Sequence, residues 1–209
     1  MFGSAALPSD LDEKMKETVK LKVFTTLTGN GYHQCPACEN TVNIIRELTR
    51  ATSKIRFEEI SILEDQESAE HYNVTRAPTI IIPGHGIRYT GAPAGLETAP
   101  FIYTIIMASN RTSIFGGAIT SKMEAFHKAR LELIVTPTCP YCAQAALIEN
   151  SIVMESSGKL AIDIIEAYEN PDIARKYNVT GVPVTVVDGN LEKKIVGVPS
   201  LASLEYFLA

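Results

Sequence analysis

The spacing of hydrophobic residues switches repeatedly between a period of about four and a period of two, which predicts an α/β protein. Leu11, Met15 and Val19 recur every fourth residue, as on one face of a helix. Residues 21–26 then alternate between apolar and polar, as a strand does. A second helix is expected to open directly after Cys35.

The remaining hydrophobic pattern gives both halves of the chain the same order of elements, βαβαββα with an extra leading helix. Right-handed crossovers make the first strands of each half parallel, and a short turn makes the last pair antiparallel. In the first half, after the helix at Cys35, we predict a strand at 55–62, a helix at 66–72, strands at 79–82 and 87–90, and a closing helix ending near Met107. In the second half we predict a helix at 121–130, a strand at 131–136, a helix at 140–156, a strand at 160–165, a helix at 171–177, strands at 184–187 and 194–196, and a helix from Leu201.

An internal repeat explains this common order. The segment Tyr-Asn-Val-Thr-x-x-Pro occurs twice, ending at Pro78 and again 105 residues later at Pro183. Repeats of this kind indicate homologous structural units. We therefore expect two domains, residues 1–115 and 116–209, which differ most at 27–34, an insertion found only in the first.

Composition and charge exclude several classes of partner. The chain is 45% hydrophobic and 21% charged, as soluble globular proteins are, and its net charge is −5. No cluster of Lys and Arg could neutralise phosphates, so neither nucleic acid nor a membrane surface is an expected partner. Residues 1–8 lack the features of an export signal, and no apolar stretch approaches the ~20 residues that span a bilayer. A cytoplasmic protein is expected.

The four cysteines form two C-x-x-C pairs, Cys35/Cys38 and Cys139/Cys142, and none is left over for a structural disulfide. In a reducing compartment such pairs are usually zinc ligands or redox-active dithiols. The pairs of a zinc ribbon lie about 15 to 20 residues apart, whereas 100 residues separate Cys38 from Cys139. This spacing favours redox chemistry over a shared zinc site.

Each pair is placed to perform thiol-disulfide exchange. The first cysteine, Cys35 or Cys139, precedes a proline that suits the first position of a helix. The free N–H groups and positive dipole of the helix stabilise a thiolate there, and a thiolate is the attacking species. Cys38 and Cys142 lie three residues on, where they can close a disulfide or resolve a mixed one. We predict Cys35 and Cys139 as nucleophiles and Cys38 and Cys142 as resolving residues.

The whole chain resembles the glutaredoxin-like protein disulfide oxidoreductases, which are tandem thioredoxin-fold proteins. The resemblance rests on the motifs Cys-Pro-Ala-Cys and Cys-Pro-Tyr-Cys, both proline segments and residues 86–97 between the halves. It implies protein dithiol or disulfide substrates, no cofactor beyond the redox-active disulfides and no metal.

The resemblance also assigns a substrate-binding role to the two proline segments. In that family the peptide bond before each proline is cis, and the preceding backbone pairs with an extended substrate peptide like an added strand. Apart from the resemblance, Tyr141 is expected either to supply an apolar contact for the substrate or to pack beside the start of the helix. The predicted substrate-binding residues are Ala77, Pro78, Val182, Pro183 and Tyr141.

One departure from the glutaredoxins concerns the electron donor. Glutaredoxins hold glutathione with a Gly-Gly-x-Asp segment, but Val184 and the residues after it show no such segment. The resemblance therefore favours a donor of the thioredoxin-reductase type over glutathione.

Other functions remain open at this stage. The chain could be an electron-transfer module for a peroxiredoxin or similar reductase system, like the tandem-thioredoxin segment of alkyl hydroperoxide reductase flavoproteins. It could also be a peptide-binding chaperone without redox chemistry, or a zinc-binding protein. Two further side chains are considered for the sites. His33, two positions before Cys35, could help stabilise the thiolate, but it lies in the inserted loop and is expected to be solvent-exposed. Glu132 is the nearest acid to the position below Cys142, although its alternation phase points it the other way.

Overall fold

A computed structural model describes residues 8–208 and shows two consecutive units with one order of elements. Residues 1–7, which carry most of the segment judged to lack an export signal, and residue 209 lie outside the described residues. The first unit comprises α1 (Leu11–Lys14), β1 (Val19–Thr25), α2 (Pro36–Ala51), β2 (Ile55–Ser61), α3 (Gln66–His71), β3 (Thr79–Ile82), β4 (Ile87–Thr90), a 3-10 turn (Gly95–Glu97) and α4 (Thr98–Asn110). The second comprises a 3-10 turn (Lys122–Ala125), β5 (Ala129–Val135), α5 (Pro140–Glu155), β6 (Leu160–Glu166), α6 (Pro171–Lys176), β7 (Val184–Val187), β8 (Lys194–Val196) and α7 (Leu201–Leu208).

The eight strands form one continuous sheet in the order β2-β1-β3-β4-β6-β5-β7-β8. Within each unit the first two strands are parallel and the last two are antiparallel, as predicted from the connections. The units are joined by parallel pairing of β4 with β6, in a register that sets Ile87 beside Ile162 and Thr90 beside Ile165. Backbone hydrogen bonds therefore run without interruption from one unit into the other.

A single apolar core extends through both units on one face of the sheet, beneath α2, α4 and α5. The opposite face carries two smaller clusters, one around Phe24 and one around Tyr177. Where α4 meets α5, the buried amide of Asn150 donates to the hydroxyls of Tyr89 and Thr104, both at 2.9 Å. No helix among residues 8–208 has the length and apolar character needed to cross a bilayer.

The predicted leading helix of the first unit is wrong at its end. The helix stops at Lys14, and Val19 begins β1 instead of completing the helical face. The Oγ of Ser109 on α4 accepts hydrogen bonds from the N–H groups of Lys16 and Glu17. This tertiary contact takes up the backbone groups that a longer helix would have used.

The helix predicted at 121–130 is also wrong, since only the 3-10 turn Lys122–Ala125 forms there. The ammonium group of Lys159 binds the carbonyl oxygens of Met123 and Glu124, at 3.2 and 2.6 Å. The chain then enters β5 at Ala129. Competing partners again prevent continuation of the helix. The other predicted elements form with ends shifted by at most a few residues.

Candidate active sites

The second cysteine pair lies where β5 leads into α5. Cys139 is the N-cap of α5 with an extended backbone, and Pro140 is the first helical residue, as the sequence predicts. The N–H of Cys142 donates to the Sγ of Cys139 at 3.1 Å, and the two cysteines form a disulfide. Cys139 is half-buried and Cys142 is fully buried. Of the two residues, Cys139 is the more accessible to solvent.

A proline loop faces this disulfide. The Val182–Pro183 peptide bond is cis, and the carbonyl oxygen of Val182 lies 3.7 Å from the Sγ of Cys139. The Ala77–Pro78 bond in the first unit is cis as well. Both cis bonds expected from the family resemblance are confirmed.

The first cysteine pair occupies the same place in the first unit. Cys35 is the N-cap of α2, and it forms a disulfide with the fully buried Cys38. The hydroxyl of Thr26 accepts a hydrogen bond from the Cys35 N–H at 2.7 Å and lies 3.8 Å from the Sγ of Cys38. A hydroxyl thus contacts both residues of this pair.

The inserted loop 27–34 folds back on itself before it reaches Cys35. Leu27 and His33 form an isolated antiparallel bridge, and Glu64 accepts a hydrogen bond from the Gly29 N–H at 2.6 Å. The loop is therefore tied both to itself and to the segment after β2.

His33 is not solvent-exposed, contrary to the sequence-based expectation. The Leu27–His33 bridge turns the side chain inward, so only 5% of it is accessible. Its Nδ1 lies 2.8 Å from a Glu39 carboxylate oxygen, and its Nε2 lies 2.5 Å from one of Glu59. Sequence alone gave no sign of this contact because Glu59 is 26 residues away along the chain.

The approach to the second site includes residues from both units. Tyr141 is 65% exposed in the first turn of α5. From the first unit, the N–H of Leu96 donates to the carbonyl oxygen of Pro137 at 2.8 Å. Gly95 has φ +61°, and a Cβ there would lie 2.5 Å from that same oxygen, so the approach requires glycine. Gly95 and Leu96 of the first unit therefore pack against Pro137, two residues before Cys139.

The proline loop of the first site also contacts the second unit. The guanidinium group of Arg76, two residues before Pro78, pairs with the carboxylate of Asp172 through bonds of 3.0 and 2.5 Å. The corresponding residue of the second repeat is Gly181, which cannot make such a pair. The two proline loops thus differ in what supports them.

Among the buried acids that sequence reasoning missed, two have pKa values raised to about 8. Glu149 lies on α5 two turns after Cys142, accepts a hydrogen bond from the Thr185 hydroxyl, and has a pKa that burial raises to about 8. Burial and the nearby charge of Glu166 raise the pKa of Glu97 to about 8 as well. A helical Glu gives no sequence signal of burial, because helix faces are assigned from their apolar residues.

Glu132, the acid considered from the sequence, lies on the other face of the sheet. Its carboxylate accepts a hydrogen bond from the Tyr177 hydroxyl at 2.6 Å. Tyr177 belongs to the apolar cluster on the face opposite α5. The alternation phase of β5 predicted this placement correctly. Among residues 8–208, no group of three or more His, Cys, Asp or Glu side chains is arranged to hold a metal ion.

Comparisons with known proteins match this geometry. A family model described as "Thioredoxin domain" covers residues 130–209. The thioredoxin of Methanocaldococcus jannaschii is 30% identical over 77 residues, which are 37% of this chain and 88% of that protein. A protein disulfide oxidoreductase from Aeropyrum pernix superposes with a TM-score of 0.81 and 27% identity, over 95% of this chain and 89% of that one.

A third relative shares the fold. The NTD_N/C domain of the alkylhydroperoxide reductase AhpF from Enterococcus faecalis superposes with a TM-score of 0.80 and 17% identity. The match covers 96% of this chain and 95% of that one. Similarity therefore extends over nearly the whole chain to proteins of two units, and over the second unit to single thioredoxins.

Proposed function

Because the chain belongs to the thioredoxin family and is a thioredoxin-like protein disulfide oxidoreductase, we propose that both its Cys-Pro-x-Cys pairs exchange disulfides with protein substrates. Cys35 and Cys139 are the nucleophiles, and Cys38 and Cys142 are the resolving residues. The observation that carries this proposal is the geometry at Cys139, a half-buried sulfur at a helix N-terminus that faces the backbone of Val182. The fully buried partner Cys142 suits intramolecular attack.

Reduction of a substrate proceeds in two exchange steps. The Cys139 thiolate attacks one sulfur of a substrate disulfide, forming a mixed disulfide and releasing the other substrate sulfur as a thiolate. The thiolate of Cys142 then attacks the Sγ of Cys139, which closes the protein disulfide and releases the second substrate thiolate. Two electrons pass from the enzyme dithiol to the substrate, and the two thiolates take up protons according to the pH. Oxidation of a substrate dithiol is the reverse sequence.

The proline loops provide the substrate groove in this proposal. Backbone groups of Ala77 and Val182 pair with an extended peptide beside the reacting cysteine, while Pro78 and Pro183 shape the turn. Main-chain pairing accepts many substrate sequences because it does not read side chains. The exposed ring of Tyr141 adds an apolar contact at the second site.

The remaining features follow the same proposal. Residues 1–115 and 116–209 are the two catalytic domains, and the chemistry needs no cofactor beyond the two redox-active disulfides. A thioredoxin-reductase-type enzyme returns the electrons. The protein works in the cytoplasm, where the donor system keeps both dithiols reduced between turnovers.

A second candidate is transfer of electrons to a peroxiredoxin or similar reductase system. It is favoured by the fold shared with the Enterococcus alkylhydroperoxide reductase domain. The two candidates use the same cysteines but differ in the protein that accepts electrons.

Insulin reduction tests the proposal directly. The protein is supplied with NADPH and thioredoxin reductase, or with NADPH, glutathione and glutathione reductase, and precipitation of reduced insulin is followed. We expect turnover with the first donor and little with the second. A variant with all four cysteines changed to serine is the control, and its retention of activity would overturn the proposal. If that variant still suppresses aggregation of an unfolded protein as well as the parent does, the non-redox chaperone function is supported instead.

A further inference from the structure

The ring of His33 lies between two carboxylates. Both ring nitrogens lie within hydrogen-bonding distance of carboxylate oxygens, Nδ1 with Glu39 and Nε2 with Glu59. An ionised carboxylate accepts hydrogen bonds and cannot donate them. Only an imidazolium can donate from both ring nitrogens at once.

The elements that carry this cluster adjoin the first cysteine pair. Glu39 is one helical turn after Cys35, on the same face of α2. Glu59 also accepts a hydrogen bond from the Thr25 hydroxyl at 2.8 Å. The residue after Thr25 is Thr26, which contacts both cysteines. His33, two residues before Cys35, therefore bridges a carboxylate on the first turn of α2 and one on β2.

The other charged groups near this cluster do not replace His33. Arg46 reaches Glu39 only at 3.9 Å, and both of these side chains are about half exposed. Glu64, bound to the Gly29 N–H, adds a further negative charge to the loop. The side chain of Glu59 is 14% accessible, and its ion-pair partner is His33.

The second site is built without this cluster. Pro137 takes the place of His33 two residues before the first cysteine, and Ala143 takes the place of Glu39 four residues after it. Ile164 takes the place of Glu59, because it pairs with Leu133 in the second unit as Glu59 pairs with Val23 in the first. The charge cluster is thus specific to the first site.

We propose that His33 is an imidazolium and a positioning residue that sets the reactivity of Cys35 by neutralising Glu39 and Glu59, an inference that rests on the proposed role of Cys35 as a nucleophile. Without the imidazolium, the two carboxylates repel a thiolate on Cys35 and reduce the fraction that can attack. With it, the helix N-terminus acts on that thiolate largely unopposed.

The substitutions His33→Gln and Glu59→Gln are expected to act in opposite directions. His33→Gln removes the cation, and the rate of Cys35 alkylation at pH 7 is expected to fall about threefold. Glu59→Gln removes one carboxylate, and that rate is expected to rise. The double substitution is expected to return the rate to near that of the parent protein.

Alkylation by iodoacetamide measures these effects. The full chain carries Cys139→Ser and Cys142→Ser, is reduced, and is alkylated across a range of pH while modification of Cys35 is followed by mass spectrometry. His33→Gln is expected to move the midpoint of the pH profile upward. His127→Gln, at a histidine whose side chain is 46% exposed, is the matched control and is expected to leave the profile in place.

Several outcomes would overturn the proposal. A purely structural role of His33 predicts that His33→Gln and Glu59→Gln both loosen the loop and shift the rate in the same direction. An unchanged pH profile in His33→Gln would also contradict it. His33→Lys keeps a positive charge without the ring and is expected to stay within about twofold of the parent rate, which guards against misfolding of the Gln variant. Alkylation needs no protein substrate. Failure of insulin reduction would therefore refute the proposed function and leave the measured effect of His33 on Cys35 unchanged.

Discussion

The Sγ of Cys139 lies 3.7 Å from the carbonyl oxygen of Val182, so the proposed attacking sulfur and the proposed substrate-binding backbone meet at one point. Cys142 lies behind this point and is fully buried. This arrangement separates the two cysteines by access, and access governs which one attacks.

The first prediction concerns the order of attack. A Cys142→Ser variant is expected to accumulate a mixed disulfide with a protein substrate through Cys139, because the resolving thiol is gone. A Cys139→Ser variant is expected to form no such adduct, since Cys142 is out of reach of the substrate. Non-reducing electrophoresis followed by peptide mapping identifies the trapped cysteine. The reverse pattern would show that the roles are exchanged.

The second prediction ranks the two sites. The second site is expected to carry most of the protein-disulfide reduction, because we expect the longer loop 27–34 before Cys35 to restrict the access of protein substrates. The double variant Cys35→Ser/Cys38→Ser is therefore expected to keep most of the dithiothreitol-driven insulin reduction. The double variant Cys139→Ser/Cys142→Ser is expected to lose most of it. The opposite ranking in the same assay would refute the role assigned to the loop.

The third prediction concerns stability and pH. Burial raises the pKa of Glu149 from its ordinary value of 4.5 to about 8, against the opposing effect of the Thr185 hydrogen bond. Between these values the folded protein keeps a proton that the unfolded chain releases, so stability falls as the pH rises from 4.5 through 8.

Glu149→Gln tests this linkage. Gln cannot ionise and keeps an oxygen that accepts a hydrogen bond from the Thr185 hydroxyl. The stability of the variant is therefore expected to fall less than that of the parent as the pH rises. Relative to the parent, it should gain roughly 3 to 4 kcal/mol between pH 5 and pH 8. Urea unfolding at several pH values measures the difference. Glu47→Gln, on the exposed side of α2, is the control, and an equal slope in parent and Glu149→Gln would contradict the prediction.

The fourth prediction concerns the connection between the units. The carboxylate of Glu155 accepts hydrogen bonds from the Ser113 and Thr120 hydroxyls and from the N–H groups of Gly117 and Ile119. Glu155→Ala leaves these donors without their partner and is expected to lower the free energy of unfolding by about 2 to 3 kcal/mol. Urea unfolding measures the loss, and limited proteolysis should cut the connection faster.

Glu192→Ala, at an exposed position, is the control for this fourth prediction. It is expected to change the free energy of unfolding by less than about 0.5 kcal/mol. Equal stability of the two variants would show that the Glu155 hydrogen bonds do not anchor the connection.

Most of the fold and both cysteine sites could be predicted from the sequence. The repeat ending at Pro78 and Pro183 indicated two thioredoxin-fold units, which the comparisons confirm. The cysteine pairs were placed correctly at helix starts, because a proline after Cys35 and after Cys139 is a local signal. Strand positions followed from alternation, which is also local.

The errors involve contacts between residues distant in sequence. Val19 matches a helical spacing of four, but Ser109 from the far end of the unit binds the backbone that would have continued the helix. His33 looks like a loop residue, and its burial depends on Glu59 in a neighbouring strand. The parallel pairing of β4 with β6 was likewise not predicted, since a strand pattern specifies a face and not a neighbour.

That pairing of β4 with β6 also has a consequence for self-association. The join is head-to-tail, because the last strand of one unit meets the strand of the next unit that corresponds to β2. Within the described residues, the sheet therefore ends at β2 on one side and at β8 on the other. Because β8 corresponds to β4 and β2 to β6, the β8 edge of one molecule could pair with the β2 edge of another as β4 pairs with β6. Repetition of a heterologous contact between molecules gives a ring where the rotation closes and an open filament where it does not.

The two terminal strands oppose such growth. β8 has only three residues, and β2 carries Arg56, Glu58 and Glu59 among its seven. Short strands and charged side chains are common protection for sheet edges. The geometry that joins two units in one sheet also leaves one free strand at each edge. The short length of β8 and the charged residues of β2 therefore oppose fibre formation.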